Sequence, residues 1–73
     1  MNLTAVFEQT DDGWYVAWVE ELPGAITQGR TLEEARENLQ EAVSMVLEAR
    51  RELTAHETQG HRVVREPFVL AAA

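Results

Sequence analysis

The chain has 73 residues, no cysteine, two histidines, and thirteen acidic side chains against six basic ones, for a formal net charge of −7. That excludes disulfides, thiolate metal sites and a histidine-rich metal site. The acidity repels phosphate backbones, so direct nucleic-acid binding is disfavoured and a basic protein partner is better suited, although net charge of this size also serves solubility alone.

A chain this short makes one domain, 1–73, that buries only roughly 60% of its unfolded surface; oligomerisation is therefore the expected source of extra burial. No apolar run approaches the ~20 residues of a membrane span and no signal segment opens the chain, so a soluble cytoplasmic protein is expected.

Leu3, Ala5 and Phe7 alternate with Asn2, Thr4 and Glu8, the period of a half-buried strand, with Val6 interrupting the polar face. Gln9-Thr10-Asp11-Asp12-Gly13 reads as a turn, since Asp-Gly favours a tight hairpin connection. Trp14 to Val19 reads as a strand that is apolar on both sides: Trp14, Val16 and Trp18 on one, Tyr15, Ala17 and Val19 on the other. One helix covers only one side of a sheet, so one of these faces is core and the other meets a partner or solvent. The pattern does not say which.

Pro23-Gly24 is a turn signal, because proline presets φ at the first central position and glycine accepts positive φ at the next. Ala25 to Gln28 is a short extended piece that Gly29 breaks. Thr31 is a good helix N-cap, and Glu34 completes a capping box by reaching back to the Thr31 amide. Beyond it, Leu32, Ala35, Leu39, Ala42, Val46, Ala49 and Leu53 recur at three- and four-residue steps, widened by Val43 and Leu47. This broad stripe predicts a sheet-packed helix of five to six turns, and its alanines allow close approach. Glu33, Glu34, Arg50 and Arg51 complement the helix dipole. Ala55 to Gly60 reads as a loop, and Arg62 to Leu70 as a terminal strand that Pro67 confines to an edge. The predicted order is β-β-β-α-β, an α+β two-layer domain with a small antiparallel sheet on one long helix.

Asp12-Gly13-Trp14-Tyr15-Val16, Leu22-Pro23-Gly24, Gln28-Gly29 and Thr31-Leu32-Glu33-Glu34-Ala35, in this order and at these intervals, resemble the HicB-like antitoxin family from about Leu3 to Leu47. The resemblance implies a reduced ribonuclease H-like fold. It further implies dimers or tetramers, and neutralisation of a small basic toxin that cleaves mRNA. Many members also carry a C-terminal DNA-binding segment. Here only the Ala55–Gly60 loop and the Arg62–Leu70 strand follow the helix, too short for a helix-turn-helix.

Catalysis is not expected. Glu8, Asp11, Asp12, Glu20 and Glu21 lie near strand ends, where a two-metal nuclease would need converging carboxylates, but turn geometry and a solvated rim explain them more simply. His56 and His61, five apart across a loop, lack the spacing of helical zinc ligands. Ser44 sits alone on the outer helix face, and the four glycines are isolated, so neither a nucleophile nor a phosphate loop is evident. No cofactor or metal is expected.

What remains is binding. Trp14, Tyr15 and Trp18 are the expected interface anchors, with Phe68 and Leu70 for subunit contact. A homo-oligomeric regulatory or scaffolding protein without a toxin is the alternative reading. A divergent metal-dependent nuclease is kept only for its fold likeness.

Overall fold

A computed structural model describes residues 2–70 of the chain. Three strands, β1 (Ala5–Gln9), β2 (Tyr15–Val19) and β3 (Ile26–Gly29), precede one helix, α1 (Leu32–Glu57). The strands form one antiparallel sheet in the order β1-β2-β3, with α1 packed on one side. This is an α+β two-layer arrangement.

Each turn is set by its residues. In the first, the Thr10 amide donates to the Trp14 carbonyl at 2.8 Å and the Gly13 amide to the Thr10 carbonyl at 2.9 Å. Gly13 has φ +89°, a conformation that costs an L side chain a steric penalty. In the second, the Ala25 amide donates to the Leu22 carbonyl at 3.1 Å, with Pro23 and Gly24 (φ +96°) between them. That is the Pro-Gly turn expected from the sequence.

The register decides which face is which. Opposed residues share a side of the sheet, so Phe7, Ala17 and Thr27 form one row facing the helix, flanked by Ala5–Val19 and Gln9–Tyr15–Gly29. The core is therefore small: Ala17, Val19 and Ala25 from the sheet side against Ala35 and Leu39 from the helix, with Phe7, Tyr15, Leu22, Val43 and Val46 around them. Small residues at the centre let helix and sheet approach closely.

The closest approach is at Gly29. A Cβ there would lie 2.5 Å from the Ala35 backbone nitrogen and 2.9 Å from its Cα. The short strand stops at Gly29, one residue later than the sequence suggested. Gly29 is buried there, and its missing side chain makes room for the first helical turn. From there α1 runs back along β3: the Asn38 amide group donates to the Gln28 carbonyl at 2.9 Å, Val46 lies beside Gly24, and Arg50 reaches the Pro23 carbonyl at 3.5 Å.

Thr31 caps the helix as expected, its hydroxyl accepting the Glu34 amide at 3.0 Å. The reciprocal bond differs. Glu34 Oε1 accepts the amide of Arg30 at 3.3 Å, one residue before the expected partner, so it ties the β3–α1 link rather than the cap residue itself.

Two expectations beyond the sheet are corrected. The helix does not stop near Leu53 but runs to Glu57, because Ala55 to Glu57 are compatible with helix and the first terminator is the Thr58–Gly60 turn, with Gly60 at φ +80°. His56 is therefore helical, not a loop residue. The second correction concerns Arg62–Leu70, which forms no strand, so the order among the described residues is β-β-β-α. A strand exists only through a paired neighbour, and α1 carries the chain about 17 Å past Val46, at 1.5 Å per residue, before the tail begins. The tail leaves too far from the sheet to pair as it stands. Accordingly, the radius of gyration is 15.7 Å, against about 11 Å for a compact chain of this length. Leu53, on the projecting half of the helix, is 57% exposed.

Candidate functional site

The helix leaves the other side of the sheet bare. On that side Val6, Trp18 and Ile26 form one row across the three strands, and Glu8, Val16 and Gln28 the next. Trp14 continues the series just before β2. Its ring lies under the Arg30 guanidinium, 5.5 Å from carbon to ring centroid, a cation–π contact. Trp14, Val16 and Trp18 are half-buried, and Ile26 is 62% exposed. Two shallow depressions border this strip. One is lined by Thr10, Asp11, Asp12, Trp14, Val16 and Gln28; the other runs from Val16 and Trp18 to Pro23 and Ile26.

The rim is acidic. Glu8, Asp11, Asp12 and Glu20 are exposed around the strip. The Asp12 carboxylate accepts from the Thr10 hydroxyl and from the Trp14 amide at 3.3 Å, and these bonds hold its carboxyl below the usual carboxylate range. Glu21 is lowered likewise by the Thr4 amide, which donates to its Oε1 at 2.7 Å, and by the Thr4 hydroxyl. Both are hairpin fasteners: Asp12 closes the β1–β2 turn and Glu21 ties the start of β1 to the end of β2.

Because both carboxyls have folded values below their unfolded ones, they contribute stability at neutral pH. That contribution fades as pH falls through the ordinary carboxylate range near ~4 and is gone below the lowered folded values. The expected result is a melting temperature that drops in acid more steeply for the parent chain than for Asp12→Asn, whose amide oxygen still accepts without titrating. Thermal unfolding by circular dichroism across the acid range checks this, and equal acid slopes would refute it. Both groups are fully exposed, so the effect is small.

The residues expected as interface anchors part company here. Trp14 and Trp18 lie together on the bare face. Tyr15 points to the opposite side and packs against the core beneath the helix, so it is not part of the same surface. Phe68 and Leu70 lie on the unpaired tail, away from both. Val6 and Ile26 also belong to the face, opposite Trp18 on the two neighbouring strands. Their positions follow from cross-strand register, which the sequence carries only once the two turns are placed. Among the described residues, no cluster of three or more histidine, aspartate or glutamate side chains could hold a metal ion, and no helix is long and apolar enough to cross a membrane.

Fold and face together define a small two-layer α+β domain whose sheet is covered on one side and presents an apolar, tryptophan-bearing strip on the other. Residues 3–55 match the model of the UPF0150-like family, and the chain belongs to that family. It is 38% identical over 64 residues to a UPF0150 protein of Archaeoglobus fulgidus, covering 88% of this chain and 93% of that one. It is 44% identical over 51 residues to a UPF0150 protein of Synechocystis, covering 70% and 71%. Over 49 residues it is 41% identical to a UPF0150 protein of Thermoplasma acidophilum, covering 67% and 71%. No solved structure matches the chain.

Proposed function

We propose that this chain is a non-catalytic protein-binding module whose bare sheet face captures a small basic protein, as an antitoxin captures its toxin. The observation that carries the reading is the strip of Val6, Trp14, Val16, Trp18 and Ile26, left open by the helix and rimmed by Glu8, Asp11, Asp12 and Glu20. Aromatic anchors inside a charged rim are the anatomy of a binding face: the apolar centre supplies affinity and the rim steers a partner of opposite charge. The HicB-like motifs support the same reading and suggest an mRNA-cleaving toxin, which would place the pair in the cytoplasm.

The carboxylates do not suit catalysis. Asp12 and Glu21 use their oxygens to fasten the hairpin, and all five candidates at strand ends are exposed to water. Self-association as a scaffold without a toxin is the second reading, favoured by the exposed apolar tail, where Phe68 is 88% accessible.

The deciding measurement is the solution mass, by light scattering, of the chain alone and mixed with the product of its chromosomal neighbour. A shift to a larger complex supports capture of a partner. An assembly whose mass ignores that neighbour supports the scaffold and overturns the antitoxin reading.

A further inference from the structure

We propose that residues 62–70 of one copy add as a fourth, antiparallel strand to the open edge of β1 in a second copy, with Glu66 opposite Phe7, so that two copies exchange tails. The inference uses the β1 edge and not the tryptophan face, so it stands or falls separately from the function proposed above.

The edge is prepared for a strand. The Glu20 amide donates to the Thr4 carbonyl at 3.0 Å and the Thr10 amide to the Trp14 carbonyl at 2.8 Å. Antiparallel ladders alternate, so the even-numbered residues from Thr4 to Thr10 turn their backbone groups toward β2. The N–H and C=O groups of Ala5, Phe7 and Gln9 therefore point outward along the free side of the sheet, since β1 is an edge strand. Beside this edge, α1 lies over β3 and β2 and leaves a groove of about 390 Å³. Leu3, Phe7, Val19, Leu39 and Val43 make its apolar lining, and Arg36 stands at its rim with its guanidinium 5.9 Å from the Phe7 ring centroid.

The tail is complementary in three respects. Its apolar side chains are bare: Val64 and Phe68 are 89% and 88% exposed. Pro67 has no N–H, so in an edge strand it must turn its nitrogen away from the ladder. That parity leaves Val64, Glu66, Phe68 and Leu70 to bond the outward groups of β1, and opposed residues share a face. Val64, Phe68 and Leu70 then enter the apolar groove, with Phe68 opposite Ala5 and Leu70 opposite Leu3. Glu66, opposite Phe7, meets Arg36. The reverse, parallel pairing would instead bring Arg65 to the same side as Arg36. Finally, Arg62 and Arg65 make the tail net basic on an otherwise acidic chain.

The occupant must be a second copy. The helix runs antiparallel to β3, hence to β1, and leaves the sheet at the Leu3 and Pro23 end, where Val46 lies beside Gly24. Thr58 is twelve residues beyond Val46, about 18 Å at the helical rise. For the chain's own tail to pair in this direction, Val64 must reach Gln9 at the far end of β1, about 20 Å further along the strand at ~3.3 Å per residue. Six residues from Thr58 to Val64 span at most about 20 Å, roughly half the distance required. A second copy has no such limit, and a two-fold axis lets each edge receive the other's tail.

The chain has no native cysteine, which permits a direct test. Full-length Ala5→Cys and Phe68→Cys variants, mixed in a glutathione redox buffer, are expected to form the disulfide-linked heterodimer in large excess over either homodimer. By light scattering the parent should be a dimer, Arg36→Glu and Glu66→Arg should each weaken it at least tenfold, and the two together should restore it. A monomeric mass for the parent, or the three cross-linked species in random proportion, would overturn the proposal.

Discussion

Replacing Gly29 by alanine is expected to destabilise the domain by about 3 kcal/mol or more, at or beyond the upper end of ordinary overpacking. The added Cβ would stand 2.5 Å from the Ala35 nitrogen, 2.9 Å from its Cα and 3.0 Å from the Glu34 carbonyl carbon. All three atoms are backbone, so no rotamer change relieves the contact, and trimming Ala35 to glycine would not help. The helix start would have to lift from β3, opening the packing of Ala17 on Ala35, both fully buried at the centre of the core. For a domain this small, that loss lowers the melting temperature by roughly 12–24 °C. Gly13→Ala is the informative contrast. It meets nothing within 4 Å but sits at φ +89°, so it carries only the backbone penalty of about 1 kcal/mol. Thermal unfolding followed by far-ultraviolet circular dichroism measures both. A Gly29→Ala chain that melts within a few degrees of the parent would show that the helix start is not seated as described.

Trp18→Thr is expected to leave the fold nearly intact while weakening the proposed capture of a basic partner by roughly thirtyfold or more, the about 2 kcal/mol that defines a hot-spot residue. Threonine keeps the β-branched preference for a strand, so the sheet itself loses little. What disappears is the central ring of the bare face, flanked by Val6 and Ile26 on the neighbouring strands. Tyr15→Ala should behave in the opposite way, lowering stability because Tyr15 packs against the core under the helix. Titration calorimetry with the product of the neighbouring gene, beside a melting curve for each variant, separates the two effects. If Trp18→Thr binds as the parent does, the sheet face is not where the partner sits.

These expectations differ in how far each was legible beforehand. The two turns, the three strands and the Thr31 cap all rest on short-range chemistry: Asp-Gly and Pro-Gly backbone preferences, two-residue alternation, and a hydroxyl facing an orphaned amide. Such features need only neighbouring residues, so they can be read from the chain. The helix is legible for the same reason, except for its end: residues Ala55–Glu57 read as loop, whereas helix continues until the Thr58–Gly60 turn. Gly29 was visible as an exception but not for its cause, since the contact it accommodates is with Ala35 across the layer interface.

By itself, then, the sequence determined an α+β arrangement with a hairpin, a short third strand and one long amphipathic helix. It also determined that β2 is apolar on both faces, so that one face had to remain outside the helix. Only the tertiary structure decided which. The helix covers Tyr15, Ala17 and Val19, because alanine at position 17 opposite Ala35 permits an approach that the indoles on the other side would block. It decided equally that Arg62–Leu70 is not a strand within its own chain. Periodicity reports a side-chain preference, whereas a strand is completed by a hydrogen-bonded neighbour, and the overlong helix carries the tail away from the edge it would pair with.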